Sequence, residues 1–302
     1  MKMTRKNFLK TGTILAGGML IPSNKLLASM KELSSNFKMI RDNIGIYTER
    51  GGTMGFYADK DAMIVVDTEF PDSAKNFIDG IKKITDRKID IVLNTHHHGD
   101  HTSGNIVFKD YTSMIVAHEK SKELQQKFYG NDPSKPQAYP NVTFADEWIL
   151  DLGPEKIWAK HICSAHTGGD SIIHFQNSNV VHMGDLVFNR VYPYIDISGG
   201  ASLNGWTKFL EKSLTMFDKD TLYIFGHSQN QDMCYGHAND LLVMKNYITA
   251  LIDFVTSEIK AGKTKEQIAY ASEIPGVKDV KEQRDGMRKM NLERAYEDLT
   301  KN

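Results

Sequence analysis

A short segment of the chain concentrates side chains that bind metals. His96, His98, Asp100 and His101 occur within the six-residue run His-His-His-Gly-Asp-His. Neutral imidazoles and carboxylates are the ligands that zinc favours at a reactive site. On an extended backbone, side chains two residues apart point the same way, so His96 and His98 can approach one ion. Gly99 permits a turn that presents Asp100 and His101 to a neighbouring position. The run therefore predicts metal-dependent chemistry.

Three more candidate ligands lie beside predicted strands further along the chain. His166 lies in a glycine-containing loop ahead of a predicted strand, and Asp185 and His227 each follow one. Taken singly, a His or Asp at a strand end is more often a turn or capping residue. Together with the first cluster they converge on one predicted sheet edge. We therefore expect a site for two ions.

Short apolar runs separated by turns must carry these residues. The runs predict strands at 44–47, 54–57, 62–66, 89–93, 113–117, 156–159, 171–175, 180–183 and 222–225. Helical periodicity predicts helices at 73–84, with Ser73 as its cap, at 119–127 and at 203–214. Beyond residue 239 an apolar stripe closed by Gly262, a capping box at 264–267 and a last amphipathic piece predict further helices. The fold class is therefore α/β.

The motifs HHHGDH and AHTGGD, and the Gly-Asp and Gly-His pairs after short apolar strands, resemble the ordered motifs of the metallo-β-lactamase superfamily. The resemblance covers roughly residues 44–230. It implies a four-layer αβ/βα sandwich, with two mixed sheets face to face, helices outside, and extra C-terminal helices. The predicted domains are a leader at 1–28, a catalytic domain at 36–240 and a helical extension at 241–302 packed on the same domain.

The resemblance also implies a role for each candidate ligand. It assigns His96, His98 and His166 to the first ion, Asp100, His101 and His227 to the second, and Asp185 to both. The expected cofactor is two zinc ions, although iron and manganese accept the same ligands. Two such ions hold a hydroxide nucleophile because metal binding lowers the pKa of water to about 7. Asp100 is the expected catalytic residue, since it can both bind metal and orient that nucleophile.

Other side chains are predicted to support the site or contact the substrate. Asp67 ends a predicted strand and matches a family position that supports the ligands from behind. Weaker candidates for support or substrate contact are His118, Tyr192 and Asn204, for which simple packing is the alternative. The glycine-rich turn at 49–54 is either a flap over the site or an ordinary hairpin. The histidines expected to be structural are His161, His174, His182 and His237, whereas His97 is expected behind the ligands or facing solvent.

The expected function is hydrolysis of an ester, lactone, thioester or amide-type bond in a small molecule by a metal-bridging hydroxide. A β-lactamase proper is the first alternative. True β-lactamases commonly carry Cys or a non-ligating Ser where this chain has Asp185, which argues against it. A non-catalytic metal-binding module is the second alternative. Seven ligands argue against that, because a structural zinc site needs only four.

The N-terminus resembles an export signal. Residues 1–28 contain five basic and no acidic residues, and an apolar stretch at 13–21 follows the first basic cluster. The basic cluster resembles a twin-arginine signal, and a membrane anchor is the alternative. We therefore expect an exported, periplasmic protein that meets a membrane only through an uncleaved leader. Loss of the five positive charges takes the formal net charge from −1 to −6, which disfavours nucleic-acid binding. The two cysteines, Cys163 and Cys234, form no disulfide framework.

Overall fold

The computed structural model describes residues 2–4, 34–60, 62–83, 85, 87–130 and 132–301. The chain is a mixed α/β protein with two large β-sheets and helices, which confirms the predicted fold class. It divides into two compact units. The first comprises Met1–His161 with Ser171–His182, and the second comprises Ile162–Asp170 with Met183–Asn302.

The strands and helices follow the chain as listed in the next two sentences. The strands are β1 (Lys2–Thr4), β2 (Phe37–Arg41), β3 (Ile44–Tyr47), β4 (Met54–Ala58), β5 (Met63–Val66), β6 (Ile91–Leu93), β7 (Ile115–His118), β8 (Val142–Phe144), β9 (Glu147–Asp151), β10 (Lys156–Lys160), β11 (Ile172–Phe175), β12 (Val180–His182), β13 (Phe188–Asn189), β14 (Leu222–Ile224), β15 (His227–Ser228) and β16 (Tyr235–Gly236). The helices are α1 (Pro71–Lys82), α2 (Gly99–Thr102), α3 (Asn105–Phe108), α4 (Glu119–Tyr129), α5 (Leu203–Met216), α6 (Ala238–Lys260), α7 (Lys265–Ala269) and α8 (Met287–Leu299).

One sheet of the first unit runs in the order β2-β3-β4-β5-β6-β7-β8. Strands β2 to β5 pair as antiparallel hairpins, whereas β5 to β8 pair in parallel. Parallel neighbours need a crossover, and α1 supplies it between β5 and β6. Both of these strands are fully buried, as expected of Ile- and Val-rich runs covered on both faces. Their carboxyl ends lead directly into Asp67 and into the histidine run, so this edge positions the first ligands.

The other sheet of this unit contains β1, β9, β10, β11 and β12. Strands β9 to β12 are antiparallel, and β1 lies parallel to β9. Burial alternates along β9 and β10, so one face of each points inward. The two sheets meet where the rings of Tyr57 and Phe175 stack with centroids 6.4 Å apart. This is the sandwich that the sequence predicts.

Two sequence predictions need comment at the N-terminal side. Helix α1 begins at Pro71, not at a Ser73 cap, and Ser73 is buried inside its first turn. Proline is favoured at a first helical position because its missing N–H has no partner there in any case. The predicted end at Ile84 lies outside the described residues. Most of the predicted leader, residues 5–28, lies there too, so the leader stays a prediction.

The second unit is built mainly of helices. Buried side chains from α5 and α6, among them Trp206, Phe209, Ile248 and Leu251, form its apolar interior. Helix α6 ends before Gly262, which has a φ of +79°, and the predicted capping box at Thr264 and Gln267 is present. The predicted boundary at residue 240 falls within α6 and stays a prediction. Within the described residues, no helix combines the length and apolar character needed to cross a bilayer.

Candidate metal centre

The histidine run of the first unit lies between β6 and α2. Gly99 begins α2 with an ordinary helical backbone, so the predicted bend needs no left-handed glycine. Its missing side chain instead leaves room beside Ser103, and its N–H donates to the hydroxyl of Tyr129 at 3.2 Å. Asp100 is partly exposed, with 30% of its side chain accessible, and its Oδ2 lies 3.8 Å from Nε2 of the buried His101.

Asp67 fixes the orientation of two histidines in this run. Its carboxylate is fully buried and accepts the Nδ1–H of His101 at 2.8 Å and the hydroxyl of Thr95 at 2.7 Å. A carboxylate can only accept, so Nδ1 of His101 carries the proton and its Nε2 keeps a lone pair. Because the Thr95 hydroxyl spends its proton on Asp67, it accepts from Nδ1 of His96 at 3.0 Å. Both imidazoles therefore present Nε2 as a ligand atom, the arrangement that outer carboxylates impose on metal-binding histidines.

His96 and His98 point toward a common position. Their Nε2 and Nδ1 atoms are 3.0 Å apart, as the two-residue spacing predicts. His97 lies between them in sequence but takes a different environment. It is buried and stacks on Phe128 with ring centroids 5.5 Å apart. Of the two expectations for His97, exposure to solvent is wrong, because this ring packs against α4.

In the second unit, Asp185 lies between two imidazoles. Its Oδ2 is 3.5 Å from Nε2 of His166 and 3.4 Å from Nε2 of His227. The Nδ1–H of His166 donates to the carbonyl oxygen of Tyr194 at 2.8 Å, so its Nε2 carries a lone pair. A lone pair that faces a carboxylate oxygen needs a cation near both. The donor set therefore fits the metal ions that the sequence predicts.

The backbone around Asp185 is shaped to hold that carboxylate. A Cβ at Gly226 would lie 2.0 Å from Asp185 Oδ1, so only glycine fits there. Gly184 has a φ of +52° and its carbonyl accepts the Gly226 N–H at 2.8 Å. The ring of His227 stacks on Phe188 at 5.1 Å. The Gly-Asp and Gly-His pairs of the sequence are thus two sides of one local arrangement.

The AHTGGD loop is closed by its own last residue. Asp170 is buried and accepts both the backbone N–H and the hydroxyl of Thr167, at 2.8 and 2.7 Å. The His166 ring packs 5.4 Å from Trp206, whose indole N–H donates to the carbonyl of Leu186 at 2.9 Å. Asp170 is therefore a structural carboxylate that stabilises the ligand loop.

The family model described as the metallo-beta-lactamase superfamily matches residues 47–227, which include all seven candidate ligands. This chain belongs to the metallo-β-lactamase superfamily. Members of the superfamily are metal-dependent hydrolases, and this chain is a hydrolase of that kind with His and Asp groups suited to bind metal.

Known metallo-β-lactamase-fold proteins are similar at low identity. The metallo-beta-lactamase type 2 of Elizabethkingia meningoseptica is 22% identical over 213 residues, 67% of this chain and 83% of that protein. The hydroxyacylglutathione hydrolase of Pelagibacter ubique is 28% identical over 170 residues, 53% of this chain and 62% of that protein.

Solved structures show the same fold. A metallo-beta-lactamase from Pontibacter korlensis matches with a TM-score of 0.60 and 16% identity, covering 70% of this chain and 98% of that one. A stereoselective inverting sec-alkylsulfatase from Pseudomonas sp. matches with a TM-score of 0.71 and 14% identity, covering 91% of this chain and 52% of that one. The chain thus spans about half the length of the sulfatase.

The β3–β4 hairpin packs against two ligands of this superfamily site. The Gly52 N–H donates to the Asp100 carbonyl at 3.0 Å, and a Cβ at Gly52 would lie 2.1 Å from His101 Cε1. The hairpin is held by Glu69, a fully buried residue that sequence reasoning missed. Its carboxylate accepts the backbone N–H groups of residues 49, 50 and 51 at 2.9 to 3.0 Å. An acid so close after Asp67, in an otherwise apolar stretch, was the available signal.

The three weaker candidates have other contacts. His118 caps α4 by accepting the Lys120 N–H at 3.3 Å and stacks on His161 at 4.0 Å. Burial, and then the neighbouring His161, lower the pKa of His118 to about 4. Tyr192 packs on Tyr247 at 5.1 Å, and burial raises its pKa. Asn204 is exposed in the first turn of α5. These contacts are those of capping and packing residues, and a role at the site stays a prediction for each.

The remaining histidines and both cysteines make structural contacts. The ring of His182 is fully buried, with Nε2 3.0 Å from the Thr53 carbonyl. His237 caps α6 in a capping box with Asp240. Cys163 and Cys234 are both free thiols, so the structure shows no disulfide between them.

Proposed function

We propose that this chain is an exported, binuclear zinc-dependent hydrolase that cleaves an ester, lactone, thioester or amide-type bond in a small molecule. Zinc ions held by its His and Asp side chains would lower the pKa of a bound water to about 7 and polarise the substrate oxygen. The chain's own residues would orient the ligands, hold the substrate and manage protons.

The Asp185 carboxylate carries the proposal of two ions. A single oxygen of Asp185 lies at nearly equal distances, 3.5 and 3.4 Å, from imidazole nitrogens of His166 and His227. Such a placement suits a carboxylate shared by two cations. The first unit separately presents four further ligands, two of them fixed by Asp67. The family model runs through both units, which supports assigning all seven side chains to one pair of ions.

Asp100 is the side chain best placed to act on the reacting groups. It is the most exposed acid of the histidine run, with 30% of its side chain accessible, whereas His101 beside it is fully buried. Its neighbour's Nε2 lies 3.8 Å from its Oδ2. An ionised carboxylate there can accept a hydrogen bond from an attacking water and so orient it. No serine or cysteine nucleophile is required.

The substrate proposal places lactones and thioesters ahead of β-lactams. Asp185 occupies the position where true β-lactamases commonly carry Cys, and the similar hydroxyacylglutathione hydrolase is named for a thioester substrate class. A β-lactamase activity is the second candidate. The metallo-beta-lactamase type 2 of E. meningoseptica favours it, since 83% of that protein is covered.

Turnover on a substrate panel tests the proposed chemistry. Purified, zinc-loaded protein is assayed on a lactone, a thioester, an aryl ester and a chromogenic cephalosporin, beside His101→Ala and the control Glu155→Gln. Glu155 is a buried acid that accepts backbone N–H groups of a distant turn. We expect turnover on one class, lost in His101→Ala and kept in the control. Equal turnover in all three proteins, or none on any class, would contradict the proposal.

Export rests on the N-terminal sequence alone. We expect the mature protein, recovered from the periplasm of a bacterial host, to begin near residue 29. Intact-mass measurement of that fraction checks this. A full-length mass confined to the cytoplasmic fraction would contradict export without touching the hydrolase proposal.

A further inference from the structure

Residues 194–202, here called the support segment, lie directly beneath the loop that carries His166. Three hydrogen bonds join the loop to it: His166 Nδ1 to the Tyr194 carbonyl at 2.8 Å, Gly168 N to the Gly199 carbonyl at 2.8 Å, and Ser202 N to the Ala165 carbonyl at 2.9 Å. The first of these sets which nitrogen of His166 keeps its lone pair. Any shift of the support segment therefore changes the direction of His166 Nε2.

Helix α8 contacts both ends of the support segment. At one end, the Arg294 guanidinium donates to the Ile195 carbonyl, lies 4.5 Å from the centre of the Tyr194 ring, and donates to the Tyr194 hydroxyl at 3.3 Å. At the other end, Asp298 accepts the backbone N–H of Leu203 at 2.8 Å. Arg294 and Asp298 are four residues apart and so share one face of α8.

Each of these contacts suits the group that makes it. The planar guanidinium can donate to two acceptors and stack on a ring at once, which a lysine ammonium cannot do. Leu203 is the first residue of α5, where backbone N–H groups lack helical partners and the dipole favours an acid such as Asp298.

Helix α8 is itself firmly seated. Asn291 donates to the buried Tyr247 hydroxyl of α6 at 2.7 Å, and Leu292 and Ala295 are fully buried. The match to the superfamily ends at residue 227, so α8 lies outside it. A helix that is not part of the matched region thus reaches the residues that orient a candidate ligand.

We propose that Arg294 is a positioning residue for the metal centre. It holds Tyr194 so that the Tyr194 carbonyl keeps the Nδ1–H of His166 and directs Nε2 toward the metal, while Asp298 fixes the far end of the support segment. The C-terminal helix is then part of the metal site's architecture. This inference rests on the proposed function, in which His166 binds metal.

Zinc affinity, measured by competition with a chromophoric chelator, tests the inference without relying on turnover. The proteins compared are the wild type, Arg294→Ala, Arg294→Lys and the control Lys289→Ala. Lys289 lies on the same helix, with 48% of its side chain exposed. We expect both Arg294 variants to bind zinc about 10-fold more weakly, at the lower end of losses seen for outer-shell partners. The control should match the wild type.

Two further measurements separate positioning from folding. Thermal unfolding of the metal-free proteins shows whether each variant is folded, and the visible spectrum of the cobalt-loaded proteins reports ligand geometry. If Arg294→Ala does not fold, Tyr194→Phe removes only the hydroxyl contact and should show a smaller loss of affinity in the same direction.

The outcomes distinguish this inference from the proposed function. A folded Arg294→Ala with wild-type zinc affinity and an unchanged cobalt spectrum would overturn the positioning role alone. Arg294→Lys matching the wild type would also overturn it, because a single ammonium should not replace the guanidinium. Wild-type affinity in His166→Ala would overturn the proposed function, and the positioning role with it.

Discussion

The Asp67 carboxylate and the His101 imidazole are joined by a 2.8 Å hydrogen bond at which neither side chain has any solvent exposure. The same carboxylate oxygen takes the proton of the Thr95 hydroxyl, which in turn accepts from His96. One buried acid therefore sets the tautomer of two candidate ligands. This relationship links the end of β5 to the histidine run after β6.

Asp67→Asn should weaken metal binding more than it weakens the fold. An amide presents N–H groups where His101 must donate, so the ring loses its acceptor and its fixed tautomer. We expect zinc affinity to fall about 10- to 100-fold, as for other outer-shell partners. Unfolding free energy should fall by about 1–3 kcal/mol because buried donors lose partners. Chelator competition and urea unfolding measure the two effects.

The matched control for that variant is Glu155→Gln. Glu155 is equally buried and also accepts several N–H groups, but it belongs to the turn after β9. It should lose stability and keep zinc affinity. If both variants lost affinity equally, the effect of Asp67 would be one of general destabilisation.

Gly52→Ala should disturb His101 directly. A methyl group there would lie 2.1 Å from Cε1 and 2.3 Å from Nε2 of the ring, so the ring or the hairpin must move. Displacement of a reacting group by about 1 Å can cost about 100-fold in rate, and we expect a fall in kcat of that order. Steady-state kinetics and zinc content measure it. Gly262→Ala provides the comparison, because nothing lies within 4 Å of its Cβ position although its φ is +79°. That variant should lose some stability and no zinc.

His118 should make the metal-free protein less stable in mild acid. Its pKa is lowered from 6.5 to about 4 in the folded state, chiefly by burial. Between these values the unfolded chain binds a proton that the folded chain does not, so stability falls as the pH decreases from about 6.5 to about 4. One such group contributes a slope of at most about 1.4 kcal/mol per pH unit.

Urea unfolding of the wild type and His118→Asn across this pH range isolates that slope. Asparagine can still cap α4, so the helix start is kept. We expect the variant's stability to change less steeply with pH than the wild type's. Parallel pH dependences would show that His118 does not titrate as the structure implies.

The sequence predicted the ligand types because their spacing follows backbone geometry. Alternation put His96 and His98 on one side, and short apolar runs placed Asp185 and His227 at strand ends. The orienting groups were harder to predict. The Tyr194 carbonyl carries no side-chain signal, and the contact of Arg294 with it joins residues a hundred positions apart. The burial of His97 depends on Phe128, a contact that only the packing of α4 determines.

Zinc content per chain in the wild type and in Asp185→Ala tests the central claim most directly. Each protein is loaded with excess zinc, desalted and measured by elemental analysis against protein concentration, with Glu155→Gln as the control. Two zinc ions per chain in the wild type and control, falling to one or fewer in Asp185→Ala, is the result that we expect. One zinc or none in the wild type, or an unchanged pair of ions in Asp185→Ala, would contradict a binuclear centre that shares this carboxylate.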